Sequence, residues 1–328
     1  MKDRIDRLRS MCVSCGACSD ACPSFAHGGI DPMGFMSGEE QDLSQCISCG
    51  CCSRACTVTD PFTAIRLAVF TEKDLKPSQA FLKTGFARRP AEDRCIGPVW
   101  TGDDVHVMIG CVVDSEVPYV EYAASRMMQA LGYRASRLPG EMCCLHPVMF
   151  MGMLDGEKER LRRGMIDRAE GRRIVTLCAG CSGELSPLRD GISHVIGFLH
   201  ENIGRLPRFS RRIAVGMEPG CSAEELSGEM REVLEAMGCE VVNRTFGCCG
   251  KNAPVRVPLM LEREAECEGA ELIVVGCPNC LVMFDRQEGG LLTVHIAELV
   301  AMAAGYEESV GFHRIVFERS SFDPARIL

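Results

Sequence analysis

The sequence predicts a multidomain α+β chain, with a small helical, cysteine-rich module at the N-terminus and two repeated α/β units with parallel sheets behind it. Three observations carry this. Two runs of four cysteines with the same spacing fall within residues 12–56. Beyond residue 104 strand-like and helix-like segments alternate, the pattern of parallel α/β sheets. The second half of that region then retraces the first, cysteine for cysteine, as an internal repeat does.

The 328 residues suffice for two or three cores, and 46% hydrophobic with 25% charged residues is ordinary for a globular protein. The unusual figure is 22 cysteines. "MKDRIDRLRS" is charged and runs into cysteines, so it does not read as a signal peptide, and no apolar run reaches the roughly 18 residues of a membrane span. The expectation is a cytoplasmic, non-spanning protein, where structural disulfides are rare and metal is the better use of cysteine. A net charge of −9 lacks the basic footprint of a nucleic-acid binder. The short basic pairs, Arg88–Arg89 and Arg162–Arg163 among them, read as solvated ends of helices and strands, with a role in anion binding as the alternative.

The N-terminal elements follow from the cysteines. "CVSCGACSDACP" sets Cys12, Cys15, Cys18 and Cys22 at C-x2-C-x2-C-x3-C-P spacing, and "CISCGCCSRACT" repeats it with Cys46, Cys49, Cys52 and Cys56, Thr57 replacing the proline. This is the run of two-cluster ferredoxins, in which the fourth cysteine of each motif serves the other cluster. Cys12, Cys15, Cys18 and Cys56 are therefore expected to hold one 4Fe–4S cube, and Cys22, Cys46, Cys49 and Cys52 the other. Four-cysteine zinc sites are the alternative, but they usually pair two C-x-x-C hooks rather than running three together. Gly16 and Gly50 let the loops wrap closely, and Cys51 reads as a spare packing thiol. Residues 23–45 form a partly helical insert, "PFTAIRLAVF" an amphipathic helix, and residues 71–104 a linker. The first domain is placed at residues 1–95.

In the first repeat (96–208), "VHVMIG" is a strand leading to Cys111 and "EVPYVEYAASRMMQALG" a helix. "YRASRL" is extended and precedes the doublet Cys143–Cys144, and "RRIVTLCAGC" is a strand ending in Cys178 and Cys181. In the second (209–328), "RRIAVGMEPGC" leads to Cys221, "CEVVN" precedes Cys248–Cys249, and "ELIVVGCPNC" ends in Cys277 and Cys280. Each repeat thus gathers five cysteines at the carboxyl ends of strands, where open α/β sheets place their sites. Adjacent cysteines fit a disulfide poorly, and five thiols exceed the needs of zinc or one ordinary cube. A thioredoxin-like C-x-x-C pair would explain neither the doublet nor the leading cysteine. His146, Lys251 and Arg256 lie beside the doublets, as packing groups or as proton donor and anion-attracting cations. His194 and His295 sit at matching strand-to-helix joints and read as caps. Cys95, Cys239 and Cys267 fit no motif and are expected to be buried thiols.

This C…CC…C-x-x-C pattern resembles the CCG domain. Two in tandem resemble the catalytic B subunit of heterodisulfide reductase, and the N-terminal module, "DPMGFM" included, resembles that enzyme's ferredoxin-like C subunit. The fold class implied is an α-helical two-cluster ferredoxin-type domain followed by two CCG domains. The resemblance implies one or two noncubane 4Fe–4S clusters at the CCG motifs, beside the two cubanes. It also implies a catalytic role for Cys221, Cys248, Cys249, Cys277 and Cys280, and a coenzyme M–coenzyme B type disulfide as substrate. In the first motif Leu145 stands where the family has glycine, so the two sites are expected to differ. No dinucleotide-binding glycine motif is present. Electrons are therefore expected from a partner, such as a bifurcating flavoprotein, a hydrogenase or a formate dehydrogenase. The alternative is a relay component of a flavin dehydrogenase or quinone-linked complex, and less favoured is a donor that activates another metalloenzyme.

Overall fold

The computed structural model describes residues 2–74, 76–146, 152–250, 253–286 and 290–313. In the N-terminal module, proline and aspartate fix where the short helices begin. Asp31 accepts from the Met33 amide ahead of the Pro32–Met36 helix, and Asp60 accepts from Thr63 ahead of the Pro61–Lys73 helix. Proline at the first helical position costs no hydrogen bond, because that amide is unpaired in any helix. The Pro61–Lys73 helix packs on the Lys2–Ser10 helix, and Ile5, Ile30, Phe35, Met36, Leu43 and Ile65 close a small core between them. Gly16 and Gly50 each open a one-turn helix from a left-handed backbone, with φ of 85° and 76°.

Each α/β unit is a four-stranded parallel sheet. The first contains β1 (Val105–Met108), β2 (Ala135–Arg137), β3 (Arg173–Thr176) and β4 (Ile192–His194), in the order β2-β1-β3-β4. The second contains β5 (Ile213–Glu218), β6 (Cys239–Val241), β7 (Leu272–Val275) and β8 (Thr293–His295), in the order β6-β5-β7-β8. The order reverses between β1 and β3, and again between β5 and β7, which opens a crevice at their carboxyl ends. The helix expected over 116–132 is Tyr119–Ala130, and a further helix, Gly110–Glu116, precedes it. Pro118 lies between them and disfavours helical angles at Val117, which sits at φ −136°, ψ 56°.

The halves pack reciprocally. The Tyr119–Ala130 helix of the first lies on the Ile296–Ala303 helix of the second, and the Val195–Glu201 helix of the first lies on the Ser227–Ala236 helix of the second. One apolar core therefore runs through both sheets. His194 and His295 do cap helices: their Nδ1 atoms accept from Ile196 and Ala297. The His295 Nε2 also reaches across the halves to the Leu177 carbonyl at 2.9 Å.

Candidate iron–sulfur centres and a shared cavity

Cys12, Cys15, Cys18 and Cys56 line one small pocket of the N-terminal module, and Cys22, Cys46, Cys49 and Cys52 line another. Each group takes three cysteines from one motif and the fourth from the other. Neither pocket is lined by a carboxylate or an imidazole, so the donor set fits the soft-ligand demand of iron–sulfur clusters. Among the described residues no three His, Cys, Asp or Glu side chains converge to hold a single metal ion. None of the 22 cysteines is in a disulfide.

In the first α/β unit, Cys111 touches Cys143, Cys143 touches Cys144, Cys144 touches Cys181 and Cys181 touches Cys178, all through thiol hydrogen bonds. The second unit repeats this with Cys221, Cys248, Cys249, Cys280 and Cys277. Two further contacts extend the line. Cys178 meets Cys277 where the halves join, and Cys248 meets Cys49 of the N-terminal module. A continuous file of sulfur atoms thus runs from the second ferredoxin-type pocket to the far end of the first unit. Burial pushes thiols up, but hydrogen bonds within the file split them. Donation from Cys143 and then Cys181 lowers Cys144 to about 6, and donation from Cys181 and then Cys277 takes Cys178 well below its usual value. Thiols that surrender protons this readily are suited to bind metal.

Nine of these ten α/β cysteines line one cavity of about 200 Å³ between the halves; Cys248 instead faces the N-terminal module. His146 also lines the cavity, with its Nδ1 2.9 Å from Glu184, and Arg162 braces that carboxylate at 2.6 Å. The Arg162 Nε in turn donates to the Cys144 carbonyl at 2.7 Å. Ser222 and Asn279 are further polar lining groups. So is Arg88 of the linker, expected from the sequence to be a solvated end. Arg256 opens the Arg256–Glu266 helix and does not line the cavity, while Lys251 lies outside the described residues. Glu184 and Arg162 carry no motif: Glu184 shares the Ala179–Leu185 helix with Cys181, and Arg162 is one of the short basic pairs.

Leu145 takes the left-handed backbone angle that its counterpart Gly250 takes, φ 60° against 69°. The expectation that leucine would not match the glycine is thus corrected at the backbone. The side chain is buried with Phe81, Ala87 and Met153, which accounts for how the strained angle is held. Cys239 and Cys267 are buried as expected, whereas Cys95 is exposed.

The cysteine-rich domain (CCG) family matches residues 105–186 and 215–285, and the 4Fe-4S dicluster domain family matches residues 4–57. The B subunit of a CoB-CoM heterodisulfide reductase from Methanosarcina acetivorans is 26% identical over 280 residues, covering 65% of this chain and 93% of that protein. This chain is a relative of the heterodisulfide reductase B subunit. The B subunit of the ferredoxin:CoB-CoM heterodisulfide reductase of Methanosarcina mazei is similar at 24% over 266 residues, covering 61% of this chain and 89% of that protein. The B subunit of the CoM/CoB fumarate reductase of Methanothermobacter marburgensis is 25% identical over 228 residues, covering 62% and 47%. The dicluster match thus lies ahead of the two CCG matches in this chain. The chain is an iron–sulfur electron-transfer protein related to that subunit. No described helix is long and apolar enough to cross a membrane.

Proposed function

We propose that the chain is the disulfide-reducing subunit of an iron–sulfur reductase. The observation that carries this is the single cavity lined by all five cysteines of the first unit and four of the second. The ferredoxin-type cysteines would hold two cubanes and the α/β groups one or two noncubane clusters, which when bound supply electrons one at a time. Reducing a disulfide breaks its S–S bond and takes up two electrons and two protons, leaving two thiols. A cavity flanked by two sulfur-rich walls gives each substrate sulfur its own wall. His146 donates its Nδ1–H to Glu184, so as the imidazolium it would pass its Nε2 proton to a thiolate. The electrons come from a partner of flavoprotein, hydrogenase or formate dehydrogenase type, since the chain has no dinucleotide motif.

Similarity to the fumarate reductase subunit favours a second reading, a relay that passes electrons to another protein. Both are tested on chain purified without oxygen. The reductase reading expects about 12 to 16 irons, as four-iron clusters, and turnover of a small disulfide with an artificial one-electron donor. Full iron without turnover supports the relay; about eight irons with zinc in the remainder overturns both.

A further inference from the structure

The linker segment 78–91 is a strap across the first half. Ser78 caps the Gln79–Thr84 helix, the Gly85 carbonyl accepts from the Cys143 amide at 2.8 Å, and Arg137 lies 5.7 Å over the Phe86 ring. Ala91 donates to the Asp114 carbonyl at 2.8 Å. Between these anchors Phe81 and Ala87 are buried against Cys143, Leu145 and Met153. Leu145 is therefore the apolar peg on which the strap sits. Directly after Ala87, Arg88 lines the cavity.

Its surroundings define what it can do. Among the described residues lining the cavity there is no carboxylate, and Arg88 is the only side chain with a permanent charge. Outside the cavity Arg88 pairs with Glu116 at 2.7 Å, and Arg286 of the second half takes the other oxygen of that carboxylate, also at 2.7 Å. Two guanidiniums sharing one carboxylate leave a net positive charge at the point where linker, first half and second half meet. A guanidinium presents up to five donors in a planar fork, so one ion pair leaves donors for a carboxylate, sulfonate or phosphate.

We propose that Arg88, held by the strap at the mouth of the shared cavity, is the residue that selects a disulfide or thiol carrying an anionic group. This rests on the disulfide-reductase reading and adds to it the residue that reads the substrate's charge. The selectivity comes from the linker between the two cysteine-rich regions rather than from Arg256 beside the second doublet.

The test uses the full chain with its iron, and compares wild type with Arg88→Lys, Arg88→Gln and Arg88→Glu at equal iron content. Two disulfides are supplied, dithiodiglycolate (anionic) and hydroxyethyl disulfide (neutral), with an artificial one-electron donor. The ratio of their kcat/KM values should favour dithiodiglycolate in wild type. It should fall about 10- to 100-fold in Arg88→Gln, the range of a charge-assisted hydrogen bond, mainly through KM. Arg88→Lys should keep part of the preference, and Arg88→Glu should invert it. Binding of thioglycolate and mercaptoethanol, measured by calorimetry without turnover, separates the two claims. Turnover of both disulfides with a ratio that Arg88 does not move overturns the selectivity and leaves the reductase standing. No turnover, with an Arg88-dependent preference for thioglycolate, overturns the reductase and supports the anion site. No turnover and no preference overturns both.

Discussion

Leu145 shows how one residue can be strained and useful at once. A left-handed angle costs a side-chain-bearing residue about 1–2 kcal/mol, while truncating a buried leucine costs about 2–5 kcal/mol. The second effect is the larger. Leu145→Gly is therefore expected to lose about 1–3 kcal/mol of stability despite its relaxed backbone, and to expose the strap to limited proteolysis within residues 78–91. Gly250→Ala should fail for another reason. Its Cβ would stand 2.8 Å from the Arg256 Cα, a backbone atom that cannot swing aside, so iron should be lost from the second site, measured by iron counting. Cys249→Ser should abolish disulfide turnover while residues 12–56 still hold reducible iron, because a hard oxygen replaces thiolate poorly on iron. Full turnover in that variant would place the chemistry elsewhere.

At the scale of elements, the Ile296–Ala303 helix joins a cap to a buried charge. Glu298 completes the cap with the His295 amide at 3.0 Å, and its other oxygen lies 3.1 Å from His313. Asp285 stands on the far side of that ring, also at 3.1 Å, and Tyr119 of the first half packs against it at 4.8 Å. Burial alone would strip the proton from His313, but Glu298 first and then Asp285 hold it, raising the pKa from 6.5 to about 10. The folded value lies above the unfolded one, so the stabilisation is complete below about pH 6.5 and is lost as pH climbs through 10. Thermal unfolding should move downward between pH 7 and pH 10, and His313→Gln should flatten that slope. The variant should also melt about 5–10 °C lower at neutral pH. An unaltered slope would show that another group carries the dependence.

Elements of this kind were legible where the signal was local. Four-residue apolar runs such as Leu272–Val275 announced strands, and Cys277, at the end of one, announced the position of a site. Arg88 and Glu184 were not legible. Arg88 faces the cavity because Gly85 meets Cys143 and Phe81 meets Leu145, contacts between residues far apart in the chain. Nor did any spacing indicate that two separate five-cysteine groups would share one space.

Across the whole molecule, the N-terminal module meets the second half at an apolar junction beside Cys49 and Cys248. Ile47, Cys248, Val255 and Leu259 are buried together beside Cys49, and Arg54 and His27 pair with Glu224 and Glu262 at 2.8 and 2.7 Å around them. The rim pairs are exposed and contribute little, so the apolar contact is the part to break. Leu259→Asp would put a carboxylate into it at a cost of several kcal/mol. Turnover with a protein donor should drop about tenfold or more at unchanged iron content. Unchanged turnover would mean that electrons enter by another route. The reciprocal helix packing of the two halves has a different consequence. Each half covers its partner as the protomers of a two-fold dimer do, so the α/β region behaves as a dimer written into one polypeptide. Cutting the chain between Arg208 and Arg211 should then yield two fragments that fail when expressed singly yet reassemble when expressed together, the peptide link serving only to keep one always within reach of the other.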